Sequence, residues 1–354
     1  MLKNTPNFEI LVMLSSMIVL LVFPLQGLVP IVSYSQIPDL STDSQEQQQR
    51  SQTQASEITQ GTSGDGTGSN NYANNNMVVI LTFGDGYKSQ YIYAKPILDK
   101  YGYKANFFVT CKRVGTTNSE MTWQEIGQLY REGHVIGSKT MNYGINTTKS
   151  LDLTHLPTKE LEFEVGQSKQ CLLDHGINTT IFAVPKNIAS DNATVINTIA
   201  KYYDLAINGH SNLMYLHCDG WRQYSSQTDC RTYSDDGSLT FANRYSIREW
   251  SMQHIGHGNS YKDSQMFEKF VAELNSQNKF NKNGIINAIP IIGYHNINAT
   301  IPDVRYTTES SATSLNLFEA EMKYLHDNGF RVITFSDLGY DENGNYLYIK
   351  SGSR

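Results

Sequence analysis

From Met77 onward, short apolar runs alternate with amphipathic stretches. The runs that predict strands are MVVILTF (77–83), KANFFVT (104–110), HVIG (134–137), TIFAV (180–184), LAI (205–207), INAIPII (286–292) and FRVITF (330–335). Such alternation is typical of a mostly parallel sheet with crossover helices. Seven strands with helices between them favour a closed or nearly closed (β/α) barrel. An open doubly wound sheet is the alternative.

Helix signals separate these runs. Thr122 and Glu125 form a capping-box pattern, and Gly133 suits the helix end. Further helices are predicted from apolar residues at helical spacing around Leu161, Val195, Met266 and Leu315, and one more helix starts near Pro96. Residues 208–262 form a long polar excursion, in which no strand is predicted.

The chain before Met77 has a different character. Residues 1–35 contain Lys3, an apolar run (10–23) and small residues before a potential cut at Gln36, which predicts a signal peptide or an N-terminal membrane anchor. Residues 36–76 are rich in Gln, Ser, Thr, Gly and Asn and are expected to be a disordered linker. The folded domain is therefore expected at 77–354, in a secreted or extracytoplasmic protein.

Composition supports a folded, exported chain. Of 354 residues, 39% are hydrophobic and 11% are aromatic, enough for a sizeable core, and the net charge of −6 gives no basic surface for nucleic acid. The four cysteines suggest disulfides in an oxidising compartment. Cys218 with Cys230 and Cys111 with Cys171 is one of three connectivities, and four buried thiols are the alternative. Sequons at Asn146, Asn178, Asn192 and Asn298 fit a glycosylated exterior.

Polar residues follow several predicted strands, at the ends where barrel side chains converge. Asp85 follows the first strand, SKTMNY (138–143) the third, VPKN (184–187) the fourth and GYHN (293–296) the sixth. This order resembles the polysaccharide deacetylase family, the NodB-homology domain, over roughly residues 77–340. The resemblance implies a distorted seven-stranded barrel that removes acetyl groups from amino-sugar polymers with a divalent metal, usually zinc.

The motifs depart from that family at the residues that carry the chemistry. The family motif T-F-D-D-G supplies a general base and then a metal ligand. Here Gly84 stands at the position of the base, and Asp85 keeps the ligand position. Lys139 stands at the first histidine-ligand position, and Asn142 or Tyr143 stands at the second. One carboxylate beside a lysine ammonium, which has no acceptor, would bind a divalent cation poorly.

Two further motifs also bear on the reaction. The family's arginine before proline orients the base, and the chain has Ala183 and Val184 ahead of Pro185 instead. His295 matches the histidine that acts as the acid in the family, although a core histidine is the alternative. Without a base or metal, one histidine cannot hydrolyse an amide at a useful rate. No cofactor is therefore expected, and zinc or another divalent metal would be needed if the family activity persists.

Other side chains suggest binding contacts. Lys139 is expected either to pair with Asp85 in place of a metal or to point into solvent. Pro185, Trp250 and Arg248 are weak candidates for substrate binding. Trp221, Tyr224, Tyr233 and Tyr245, with Trp250, form either a sugar-stacking platform or a small core held by a disulfide. His254 and His257 fit a surface loop better than a metal site.

The sequence thus predicts a polysaccharide deacetylase-like pseudoenzyme that binds an amino-sugar polysaccharide or another cell-surface glycan. One alternative is an active N-deacetylase with substitute ligands such as Asp85 and Tyr143. A scaffold with no affinity for glycans is a third hypothesis.

Overall fold

The computed structural model describes residues 76–145, 151–189, 192–210, 213–216, 232–233, 239–240, 244–252, 255–256, 259–299, 312–343 and 346–352. The expected signal segment or anchor, and all but the last residue of the expected linker, lie outside them. Among the helices of the described ranges, none is long and apolar enough to cross a membrane.

Seven parallel strands form a closed barrel, so the predicted fold is confirmed. The strands are β1 (Val78–Phe83), β2 (Asn106–Val109), β3 (Val135–Ser138), β4 (Ile181–Ala183), β5 (Leu205–His210), β6 (Ile247–Ser251) and β7 (Ile291–Tyr294). Each strand pairs with the next, and β7 pairs with β1 to close the ring.

One barrel strand was assigned wrongly from the sequence. The run FRVITF contains β8 (Arg331–Ile333), which pairs with the amino-terminal half of β1 and is not one of the seven. The missing strand is β6, inside the stretch predicted to be a strandless polar excursion. Its sequence IREWS carries no apolar run, because Glu249 and Ser251 line a polar cavity.

The ring is distorted between β1 and β2. Only the carboxyl end of β1 pairs with the amino end of β2, through Thr82 with Asn106 and Phe83 with Phe107. The amino-terminal half of β1 pairs with β8 instead. The buried amide of Asn106 bridges the split, since it donates to the Leu81 carbonyl and accepts from the Phe335 N–H, both at 2.9 Å.

Helices surround the barrel. They are α1 (Lys95–Lys100), α2 (Trp123–Arg131), α3 (Thr158–Glu162), α4 (Ser168–Asp174), α5 (Ala193–Ala200), α6 (Asp263–Ser276) and α7 (Leu315–Asp327). π-helical turns at Gln90–Ala94 and Phe163–Gln167 precede α1 and α4. The Thr122–Glu125 capping box begins α2 as predicted.

Short elements complete the described chain. Single helical turns lie at Cys111–Arg113, Leu153–His155, Pro185–Asn187, Gln277–Lys279 and Phe335–Asp337. A hairpin of β9 (Leu338–Asp341) and β10 (Tyr346–Ile349) follows β8. Four other two-stranded pairs are Met214–Tyr215 with Ala288–Ile289, Thr232–Tyr233 with Leu239–Thr240, Ile255–Gly256 with Asn259–Ser260, and Asn296–Asn298 with Ala312–Ser314.

Alternation along the strands creates two hydrophobic layers. Val78 and Ile80 of β1 face the barrel interior with Ile207 and Ile291. Val79, Leu81 and Phe83 face the opposite way, toward α1, α2, α6 and α7. The barrel interior is therefore filled below the carboxyl ends of the strands, where polar side chains replace the aliphatic ones.

Candidate functional site

A polar cavity of about 400 Å³ lies at the carboxyl ends of the barrel strands. Its lining includes Asp85, Lys139, Tyr143, Asn187, Glu249 and His295. The structure thus brings together Asp85, Lys139, Tyr143 and His295, which come from three separate loops and were singled out from the motifs.

The backbone around this cavity is unusual. Five non-glycine residues of the described chain have a positive φ, and four of them are Asp85 (72°), Thr140 (67°), Lys186 (61°) and Asn187 (55°). Three of these four line the cavity, and Thr140 follows Lys139. Each left-handed residue costs roughly 1 kcal/mol. Strained backbone is therefore concentrated at this one place.

Asp85 and Lys139 form an ion pair at the base of the cavity. Lys139 Nζ lies 2.8 Å from Asp85 Oδ1, and the two side chains are 9% and 11% exposed. The hypothesis that Lys139 pairs with Asp85 is confirmed, and the solvent-facing alternative is wrong. Lys139 Nζ also lies 5.1 Å from the centroid of the Tyr143 ring.

The electrostatics of the pair keep both groups charged. Burial disfavours the charged form of Asp85, but the neighbouring Lys139 ammonium outweighs it and lowers the pKa of Asp85. Burial likewise opposes charge on Lys139, and the Asp85 carboxylate outweighs it and raises the pKa of Lys139. The positive charge needed beside Asp85 is thus supplied by the protein itself.

His295 stands beside this pair. Its Nε2 lies 4.0 Å from Asp85 Oδ2, and its Nδ1 is buried without a hydrogen-bond partner. Burial lowers the pKa of His295, partly offset by the Asp85 charge. The imidazole is therefore held largely neutral at the edge of the cavity.

Gly84 has little free space around its Cα. A Cβ added there would lie 3.0 Å from Cδ2 and Nε2 of His295 and 3.4 Å from Nζ of Lys139. Lys139 Nζ is thus in ordinary contact range of this position, and the tight contact is with the His295 ring. The two departures from the family motif, Gly84 and Lys139, are neighbours in space.

Gln90 joins the two loops that carry these residues. Its fully buried amide donates to the carbonyl oxygens of Gly84 at 2.6 Å and His295 at 2.8 Å. No motif marks this glutamine, because it lies in a helical turn after the first loop. Its two hydrogen bonds form only in the folded chain, where the carboxyl ends of β1 and β7 lie side by side.

Glu249 is a second carboxylate of the cavity, and the sequence did not reveal it. Its Oε2 accepts from the Thr82 hydroxyl and its Oε1 from the Asn187 amide, both at 2.9 Å. Because Glu249 lies on the strand that was missed, its inward direction could not be predicted. A signal existed in the alternation of Ile247, Glu249 and Ser251, which share one face of β6.

Hydrogen bonds between the backbone of the Lys139–Tyr143 loop and residues outside the cavity hold this loop in place. Glu164 Oε2 accepts from the backbone N–H groups of Met141 and Asn142 at 3.0 Å each. The predicted Cys111–Cys171 disulfide is present, and the Cys111 N–H donates to the Thr140 carbonyl at 3.2 Å. The disulfide thus supports this loop. The predicted partners Cys218 and Cys230 lie outside the described residues.

The candidate substrate-binding residues are placed around, not within, the cavity. Pro185 is the buried first residue of the turn whose next two residues, Lys186 and Asn187, line the cavity. Trp250 packs, partly buried, against the layer between barrel and helices. Arg248 and Trp250 alternate with Glu249, so they lie on the other face of β6. Contact of these three with a substrate stays a prediction, for which the cavity lining offers no support.

The aromatic platform can be followed only in part. Tyr245 is buried, and its hydroxyl donates to the Tyr203 carbonyl at 2.8 Å. The side chains of Trp221, Tyr224 and Tyr233 lie outside the described part of the chain, as do His254 and His257.

A catalytic divalent metal does not fit the residues at the family position. Such a metal needs about three ligands with free lone pairs. Asp85 Oδ1 is already paired with an ammonium, Lys139 offers only donors, and Lys139 lies over the Tyr143 ring. The arrangement resembles a metal site whose charge has been replaced by a lysine.

Comparison with known proteins agrees with the fold. A family model described as polysaccharide deacetylase matches residues 71–206. Over these residues, the chain is similar to the polysaccharide deacetylase family. The match contains β1 to β4 and the start of β5, together with the Asp85 and Lys139 motifs of the deacetylase domain.

Individual deacetylases show the same likeness. The putative polysaccharide deacetylase YxkH of Bacillus subtilis (strain 168) is 32% identical over 109 residues, which cover 30% of this chain and 36% of YxkH. The chain thus spans about a third of that relative's length.

Solved structures include Streptococcus pyogenes deacetylase PplD in complex with acetate (26% identity, 38% of this chain and 57% of PplD, TM-score 0.34). Another is a mutant of the Bacillus subtilis peptidoglycan deacetylase PdaC (16% identity, 74% of this chain and 89% of that chain, TM-score 0.41).

Proposed function

We propose that this protein is a glycan-binding member of the polysaccharide deacetylase family with impaired catalysis, acting outside the cytoplasm on an amino-sugar polysaccharide or another cell-surface glycan. The observation that carries this proposal is the 2.8 Å ion pair between Lys139 Nζ and Asp85 Oδ1. It places a fixed ammonium against the one ligand carboxylate that the motif retains.

The chemistry of deacetylation supports impairment. Hydrolysis of an N-acetyl amide needs an activated water, a base to take its proton and an acid for the leaving amine. Gly84 provides no base, and the residues beside it hold no free set of metal ligands. His295 stands at the family position of the acid, but burial favours its neutral form, and one histidine alone does not activate water.

The preserved cavity supports binding over a purely structural role. Asp85, Lys186 and Asn187 hold strained backbone at the cavity, and such strain persists only where surrounding contacts enforce it. Tyr143 and Tyr87 add aromatic surface to the lining. A scaffold without a ligand would have no need for this arrangement.

The first experiment compares the purified natural protein with a variant carrying Gly84→Asp, Lys139→His, Tyr143→His and Ala183→Arg. We expect the natural protein to bind no stoichiometric zinc and to release no acetate from N-acetylchitohexaose. The repaired variant is expected to gain zinc. Stoichiometric zinc and acetate release in the natural protein would instead establish the active deacetylase with substitute ligands such as Asp85 and Tyr143.

Glycan binding is measured separately by calorimetric titration with N-acetylchitohexaose. Tyr143→Ala is expected to weaken binding at the cavity about tenfold, the loss typical of one stacked aromatic contact. Tyr93→Ala, on the helical turn before α1 and outside the cavity lining, is the control and should bind like the natural protein. Equal affinity of the natural protein and Tyr143→Ala would remove this cavity as the binding site.

A further inference from the structure

A larger cavity lies at the opposite end of the barrel. Its volume is about 790 Å³, compared with about 400 Å³ for the motif cavity. It is formed where β3, β4 and β5 begin, together with the β9–β10 hairpin. None of the deacetylase motif residues reaches it.

Tyr348 forms a flat platform on one wall. It pairs across the hairpin with Gly339, and a Cβ added to Gly339 would lie 2.3 Å from Cζ of the Tyr348 ring. The ring therefore lies over the glycine backbone, an arrangement that any side chain at position 339 would prevent. Tyr348 is 41% exposed, so the cavity wall has aromatic surface that the hairpin does not cover.

A second tyrosine lines the cavity from the helical side. Tyr130 is on α2 and is 37% exposed. A single exposed aromatic side chain is ordinary at a protein surface, but Tyr130 and Tyr348 line the same cavity. Two rings from separate elements therefore give the cavity apolar surface, while the rest of its lining includes charged side chains.

Polar groups are fixed between these rings. Arg244 donates to the Asp204 carbonyl at 2.6 Å and to Glu342 Oε1 at 3.1 Å. Its guanidinium carbon lies 4.8 Å from the centroid of the Tyr340 ring. The carboxylate-bearing side chains of Asp204 and Glu342 stay 67% and 78% exposed, so they keep acceptor sites facing solvent.

We propose that this cavity is a second glycan-binding site, which takes a neutral oligosaccharide. The apolar C–H face of a pyranose ring fits an aromatic platform such as Tyr348, and sugar hydroxyls donate to carboxylates such as Asp204 and Glu342. The two carboxylates are balanced by Arg244 and Lys350, so the lining favours neither an anionic nor a cationic sugar.

This site goes beyond the function proposed for the motif cavity and can stand or fail independently. If both sites bind the same polymer chain, the second contact becomes intramolecular and gains from a high effective concentration.

The test is calorimetric titration of the full chain with cellohexaose and with N-acetylchitohexaose, in protein made without N-glycosylation so that Asn178 at the cavity rim is bare. Measurements are made in a Tyr143→Ala background, which weakens binding at the motif cavity. In this background we expect binding of at least one of the two sugars, weakened tenfold or more by Tyr348→Ala. Tyr348→Phe should bind within about twofold, since the ring face makes the contact, and Tyr93→Ala, which lines neither cavity, should bind normally.

The outcomes separate the two proposals. Loss of all binding on Tyr143→Ala alone overturns the second site and leaves the motif cavity as the glycan site. Binding unaffected by Tyr143→Ala and abolished by Tyr348→Ala supports the second site and overturns glycan binding at the motif cavity. Unchanged affinity in Tyr348→Ala, or no binding of either sugar by the natural protein, also overturns the second site.

Discussion

Lys139 Nζ lies 2.8 Å from Asp85 Oδ1, and both side chains are about nine-tenths buried. Removing one member of such a pair leaves the other charge buried without compensation, which costs about 3–5 kcal/mol. We therefore expect Lys139→Met to lower the free energy of unfolding by about 3 kcal/mol, measured by urea denaturation. The double variant Lys139→Met with Asp85→Asn should recover most of that loss.

A surface pair provides the control for this experiment. Lys100 and Glu319 lie 2.8 Å apart but are 54% and 49% exposed, so Lys100→Met should leave the free energy of unfolding nearly unchanged. Lys139→Met with the same stability as the natural protein would show that Asp85 needs no counter-ion.

Gly84→Asp alone should not restore a metal site. The added Cβ would lie 3.0 Å from the His295 ring and 3.4 Å from Lys139 Nζ, so we expect a loss of about 1–3 kcal/mol in the free energy of unfolding. The variant is measured by urea denaturation and metal analysis, and zinc bound by Gly84→Asp alone would show that the Lys139–Asp85 pair does not exclude a metal.

Glu321 should make the fold less stable as the pH rises. Burial raises its pKa well above the ordinary 4.5, and its Oε2 accepts from the Tyr294 hydroxyl at 2.8 Å. Above pH 4.5 the unfolded chain releases this proton while the folded chain keeps it, so the free energy of unfolding falls with pH until the folded group ionises.

Glu321→Gln keeps an acceptor for Tyr294 but cannot ionise. We expect this variant to be more stable than the natural protein at pH 8 by about 1 kcal/mol or more, and nearly equal to it at pH 4.5. Urea denaturation at both values gives the comparison. The same difference at the two pH values would contradict a protonated Glu321.

His134 should act in the opposite direction at lower pH. Burial lowers its pKa from 6.5 to about 4, and its Nδ1 accepts from the Ala105 N–H at 3.1 Å. Between pH 6.5 and 4 the unfolded chain binds a proton that the folded chain rejects, so stability is lost as the pH falls, by about 3 kcal/mol at most. His134→Asn retains an acceptor and should flatten this slope.

The carboxylates near His134 do not make it a metal site. Asp99 and Glu132 lie close to its ring, but Lys95 Nζ is 2.6 Å from an oxygen of each. Since Nδ1 accepts a hydrogen bond, the neutral ring carries its proton on Nε2 and has no lone pair left for a metal.

Much of the fold could be predicted, because six barrel strands are apolar runs that alternate with amphipathic helices. The strand β6 could not, since Glu249 and Ser251 face the cavity and remove its apolar signal. Asp85, Lys139 and His295 were found through their places at strand ends. Gln90 and Glu249 were missed because their partners are 205 and 167 residues away along the chain.

The bridge made by Asn106 bears on how this barrel can assemble. Residues 71–206 carry the family signature, yet a chain ending there would leave β1 and β5 with unpaired edges that invite aggregation. Closure needs β6 and β7, which pairs with β1. During synthesis, the ring therefore stays open until Tyr294 has emerged, and the smallest piece that can close it runs from Val78 to Tyr294. That piece still lacks the Phe335 N–H, from which the Asn106 side-chain oxygen accepts a hydrogen bond.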